Sequence, residues 1–120
     1  MESLIDRAIR YASSSNHTLH HHVAFVFYKG SLLAYAVNKD WRHAEERAIR
    51  KTFIWKRYLH GGKKPLAKIR GAIVWSFRVA KDNIIRDAKP CETCEDKMRE
   101  LGIEKIYYSD PTGDIRCLIL

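Results

Sequence analysis

A chain of 120 residues, 46% apolar and 30% charged, has the length of one domain and the balance of an ordinary folded protein, which sets aside a disordered tract or a set of membrane spans. The 22 basic against 14 acidic residues leave a formal charge of +8, which favours anionic partners. Three cysteines, an odd number, build no complete disulfide framework. A reducing intracellular compartment, cytoplasmic or nuclear, is therefore expected, with neither a secretory signal nor a membrane anchor in the first residues.

In chain order, Leu4, Ile5, Ala8, Ile9 and Ala12 recur at helical spacing, and the serine run after them stops the helix. Val23 to Tyr28 is apolar and rich in β-branched and aromatic residues, Lys29-Gly30-Ser31 turns the chain, and Leu32 to Val37 returns as a second strand. From His43 to about His60 the pattern is helical, with Ala44, Ala48, Ile49 and Phe53 as its apolar stripe and Gly61-Gly62 as its end. Ile69 to Val79 reads as a buried strand at the centre of a sheet. A helix follows from Pro90 to Gly102, then a strand from Ile103 to Ser109, a turn at 111–114 and a last strand from Ile115 to Leu120. So short a connection makes the last two strands antiparallel. The order α-β-β-α-β-α-β-β predicts one α/β domain over residues 1–120, three layers deep, with helices on both faces of a five-stranded mixed sheet.

Two motifs carry chemistry: His43-Ala44-Glu45 and Pro90-Cys91-Glu92-Thr93-Cys94, each at a predicted helix start after a strand. Either alone is weak, since a Cys pair two residues apart serves redox, structural or no special purposes, and HxE arises by chance. In this order and placement they are specific. Zinc prefers nitrogen and sulfur donors in four positions, and a catalytic site leaves one of them open. One imidazole, His43, and two thiolates, Cys91 and Cys94, leave that position. Cys91 and Cys94 project from nearly the same face of a helical turn, and a helix N-terminus favours the paired anions. Zinc lowers the pKa of water from about 15.7 to about 7, and Glu45, close to His43, is free to shuttle protons. The competing reading of the same three ligands is a purely structural zinc site.

The pair HAE and PCETC resembles the cytidine and deoxycytidylate deaminase superfamily, whose mark is H-x-E followed by P-C-x-x-C. The strand-turn-strand before HAE and the GIEKIYYSD strand after the cysteine helix resemble that fold as well, so most of the chain is covered. The resemblance implies one Zn2+ per chain on His43, Cys91 and Cys94, with Glu45 protonating the ring nitrogen and then the departing ammonia. It implies sugar contact by Asn38, and makes Ala44 and Pro90, inside the two motifs, further substrate-binding candidates. His43 resembles the deoxycytidylate, tRNA-adenosine and polynucleotide-cytidine branches, whereas the short turn before the last strand resembles the nucleoside branch. The implied reaction is hydrolytic deamination of cytosine in a nucleoside, nucleotide or single-stranded nucleic acid. Deamination of adenine in RNA, or a nucleic-acid-binding module that keeps the zinc fold, are the alternatives. A homo-oligomer is implied only by resemblance.

Between Arg47 and Lys81 there is no acidic residue, so this stretch reads either as a surface that tracks phosphates or as a solvated face, and Lys63, Lys64 and Lys68 are its candidate nucleic-acid contacts. His20, His21 and His22 read as surface or strand-edge residues, Cys117 as a core thiol, and Trp75, Phe77, Tyr107 and Tyr108 mostly as core.

Overall fold

The computed structural model describes residues 3–12, 21–38, 44, 47–48, 50–51, 70–80 and 84–120. Its elements are α1 (Leu4–Ala12), β1 (His21–Tyr28), β2 (Ser31–Val37), β3 (Ile73–Val79), β4 (Ile85–Arg86), α2 (Glu92–Glu100), β5 (Lys105–Ser109) and β6 (Ile115–Ile119). Residues 44, 47, 48, 50 and 51 are helical; the rest of the helix expected over 43–60, with Gly61 and Gly62, lies outside the described residues.

The strands order as β2-β1-β3-β5-β6 in one mixed sheet. β3 and β5 run parallel, and β5 and β6 antiparallel as expected from the short turn. β4 is an addition to the five expected strands: it pairs with β3 through Arg78↔Arg86 and Val79↔Ile85, beyond the point where β5 leaves that edge. β3 also starts later than expected, because Arg70-Gly71 forms a turn with Gly71 at φ 82°.

Local chemistry explains the turns. Lys29 and Gly30 both take positive φ (51° and 79°), the two-residue hairpin geometry whose twist matches that of the strands it joins. α2 ends in a glycine-terminated motif, with Ile103 N donating to Met98 O at 3.0 Å and Gly102 N to Arg99 O at 3.1 Å. Gly102 stands at φ 83°, and a Cβ there would meet Arg70 Cγ at 3.0 Å, so both conformation and space require glycine.

Side-chain alternation sorts the strands into two apolar faces. Ala24, Val26, Ala36, Val74 and Ile106 pack with helical Ala44 and Ala48 and with Met98 of α2. Val23, Phe25, Val37, Phe77 and Val79 pack with Ala8 and Ala12 of α1 on the other face. The result is the expected three layers. Each fully buried Val or Phe contributes about 1.5–3 kcal/mol.

Two sequence expectations are corrected. Cys117 is exposed, because β6 is an edge strand and its odd-numbered side chains point to the face where α1 packs on the β1–β3 side of the sheet. His21 and His22 are half-buried in β1, which has strand neighbours on both sides; His21 Nδ1 bonds Ala12 O at 2.9 Å, and His22 Nε2 bonds Ser76 Oγ.

The turn before β6 is organised by Asp110. Its carboxylate accepts from Thr112 N at 2.9 Å, Thr112 Oγ1 at 2.6 Å, Asp114 N at 3.0 Å and Arg116 Nε at 2.8 Å. The Thr112 hydroxyl first, then Arg116, hold its pKa down at about 2. The folded value lies below the unfolded one, so this contribution is present above about pH 4 and is lost as pH falls towards 2. Asp110→Asn should therefore destabilise the protein at pH 5 and much less at pH 2, read from urea midpoints. An equal midpoint difference at both pH values would show that the carboxylate charge is not what the turn uses.

Candidate functional site

The face of the sheet that carries helical Ala44 and Ala48 and Met98 of α2 is also the face that Cys94 meets. His22 shares that face with Ala24 on β1, and Ser76 and Arg78 share it with Val74 on β3. Asn38, just past the end of β2, is buried, and two bonds to one residue fix it: Asn38 N donates to His22 O at 3.0 Å, and His22 N donates to Asn38 Oδ1 at 2.9 Å. Asn38 is thus held at the end of the sheet where β2 and β3 finish and β1 begins.

Two basic side chains tie the helical residues to β2. The Arg47 guanidinium donates to Val37 O, and Lys51 Nζ donates to Tyr35 O at 3.1 Å. Burial, with Arg47 close by, pushes the Lys51 ammonium below the ordinary lysine value. The basic stretch from 47 to 81 therefore includes residues with a structural task. Lys63, Lys64 and Lys68 lie outside the described residues.

The second motif approaches from β4. Ser109 Oγ donates to Arg86 O at 2.6 Å, Ala88 N donates to Ser109 O at 2.8 Å, and buried Ser76 donates to Ala88 O at 3.4 Å. These bonds set the path into buried Pro90 and the start of α2. Cys91 is the N-cap: its backbone is extended (φ −70°, ψ 162°), and its Sγ accepts from Cys94 N at 3.5 Å. Cys91 is exposed and Cys94 half-buried, and neither is in a disulfide.

Cys94 packs against the apolar cluster that contains Ala44, whose sequence neighbours are His43 and Glu45. One residue of each motif, far apart in sequence, thus meets the same cluster on one face. Ala44 itself is fully buried, while His43 and Glu45 lie outside the described residues. The donor chemistry suits zinc: two cysteines outside any disulfide, three residues apart at a helix start, one sulfur already oriented by a backbone N–H.

Sequence reasoning read His22 as a surface or strand-edge residue and Arg78 only as part of the basic stretch, and passed over Ser76. Their signal was present in the strand IVWSFRV, where Ser76 and Arg78 sit two apart in an otherwise apolar run. Polar residues at alternate positions of a central strand must share a face, and burial obliges them to find partners.

No family model matches the chain, and no curated protein matches it. Solved structures do. The dCMP deaminase of the cyanophage S-TIM5, in apo form, is 21% identical and aligns with a TM-score of 0.57 over 90% of this chain and 80% of its own. The cytidine deaminase of Burkholderia pseudomallei is 19% identical, with a TM-score of 0.58 over 97% of this chain and 89% of its own. The chain has the cytidine deaminase fold. In this cytidine deaminase fold, helical Ala44 and Cys94 of α2 meet on the face of the sheet opposite α1.

Proposed function

We propose that the chain is a hydrolytic deaminase of cytosine in a nucleoside, nucleotide or single strand, converting it with water to uracil and ammonia. One observation carries the reading: Cys94 of PCETC packs against the same apolar cluster that contains Ala44 of HAE. The shared fold with a dCMP deaminase and a cytidine deaminase supports it.

His43, Cys91 and Cys94 would hold zinc, which supplies Lewis acidity toward water. Glu45 takes a proton from the attacking water and passes it to the ring nitrogen, then moves a second proton to the amino group as it leaves. Water supplies the oxygen of the new carbonyl, and the carbon–nitrogen bond breaks with release of ammonia. Asn38, fixed through His22, orients the sugar. Pro90 and Ala44 shape the ends of the two motifs against the base.

The test is ammonia release by zinc-loaded protein given cytidine, dCMP and a single-stranded oligonucleotide in parallel. Turnover of at least one is expected. Binding of the oligonucleotide with no ammonia from any of the three would make the protein a binding module instead.

A further inference from the structure

The two edges of the sheet are finished differently. At β2, Asn38 N bonds His22 O within the β1–β2 register, so the even-numbered residues beside it turn their backbone groups to β1, and Tyr35 and Val37 turn theirs outward. Those outward carbonyls are capped by the chain itself, Tyr35 O by Lys51 and Val37 O by Arg47. A bulge between Val26 and Phe27 further disrupts the β1–β2 ladder. This edge is closed to another strand.

β6, at the other edge, has none of these devices among the described residues. Leu120 N donates to Glu104 O at 3.1 Å and Asp110 N to Asp114 O at 2.8 Å, at the two ends of an unbroken β5–β6 register. Bonded and non-bonded pairs alternate, so Arg116 and Leu118 turn their backbone groups to β5, and Ile115, Cys117 and Ile119 turn theirs to the open side. The same three residues are exposed, Ile119 at 78%. An edge this regular, with neither proline nor lysine in IRCLI, is a template for another strand. Its one charged residue, Arg116, is held by Asp110 at 2.8 Å within the chain, so a molecule of formal charge +8 can meet a copy of itself here across a neutralised strand.

We propose that β6 pairs antiparallel with β6 of a second copy, around a two-fold axis at Cys117, and joins the two sheets into one. The residues select this register. Centred on Cys117, Ile115 of each copy stands opposite Ile119 of the other, every outward-facing residue of both strands is bonded, and about six ladder hydrogen bonds form. A register centred on Arg116 sets two arginines opposite each other, and one centred on Leu118 leaves Ile115 with no facing residue of β6. Because the β2 edge is capped, the same edge serves in both copies, which closes a dimer rather than an open-ended sheet. The odd-numbered side chains of β6 lie on the α1 face and Cys94 meets the opposite one, so the contact stands independently of the deaminase reading.

The experiment is sedimentation equilibrium of the reduced protein, with amide hydrogen exchange along β6 followed at low and high protein concentration. A reversible monomer–dimer equilibrium is expected, mostly dimer at about 200 µM and with no larger species. In the dimer the amides of Ile115, Cys117 and Ile119 should exchange about tenfold or more slowly than in the monomer, while those of Arg116 and Leu118, bonded to β5 in both states, should not respond to concentration. Ile119→Lys, at an exposed position whose register neighbour is Lys105, should raise the dimer dissociation constant by about tenfold or more. Cys117→Pro deletes an outward N–H and no bond to β5; it should act in the same direction and serves if Ile119→Lys does not fold. A protein still monomeric at about 200 µM overturns the proposal. So does a dimer in which those three amides exchange as in the monomer, or one that both substitutions leave intact. Open-ended assemblies larger than a dimer would assign the edge to a head-to-tail contact and overturn it too.

Discussion

Glu45→Gln is expected to keep the fold and the zinc while turnover of the best substrate falls by roughly 10²–10⁴-fold, the usual worth of one positioned proton-transfer group. The amide has nearly the size and shape of the carboxylate, so it disturbs packing little, but it cannot take up a proton and return it. Buried Ala44 anchors this segment in the apolar cluster with Ala48, one helical turn on, and the Arg47 bond to Val37 O holds the turn against β2. The described anchors of this segment are therefore residues the substitution does not touch. The fall should appear in kcat, because the proton moves in the transition state rather than on binding. Residual activity within tenfold of the parent, with zinc content intact, would assign the proton transfer to another group.

The second large effect is expected at the cysteines. The parent should hold about one zinc per chain, and Cys91→Ala or Cys94→Ala should each reduce it to near zero, read by elemental analysis of protein never exposed to a chelator. Removing one of three protein donors leaves a site too poor to retain the ion. Thermal stability falls with it, since a metal at 100 times its Kd contributes about 2.7 kcal/mol by mass action. The two variants should differ in what zinc cannot explain. Cys91 is exposed and caps α2 through its sulfur, whereas Cys94 is half-buried against the core cluster. Cys94→Ala should thus be the less stable of the two in the metal-free state, by the packing its sulfur provides. Cys117→Ala is the control: it lies exposed on the edge strand and should leave zinc content unchanged. A parent stoichiometry near zero, or variants that keep their zinc, would end the assignment.

The placement of the two cysteines was legible in the sequence because the spacing of a short motif has a local meaning. Cys91 and Cys94 are three residues apart, and one helical turn is enough to put both at the helix start. The ends of elements were legible for the same reason: Lys29-Gly30 and Gly102 each need a positive φ, which is a property of the residue and its immediate neighbours. The antiparallel pairing of β5 and β6 followed from the length of the turn between them. Only the tertiary structure could decide the rest, since strand neighbours are set by pairings between residues far apart in the chain. β4 is two residues long, with too little pattern to announce itself, and it exists because β5 leaves part of the β3 edge uncovered. Cys117 and Val79 both lie in apolar stretches, yet one is exposed and one buried, because burial depends on whether another element covers the face. His22, Arg78 and Arg86 are each ordinary in the sequence. Lateral pairing of three strands sets them in one row, and a sequence read along the chain carries no signal of what stands beside it across the sheet.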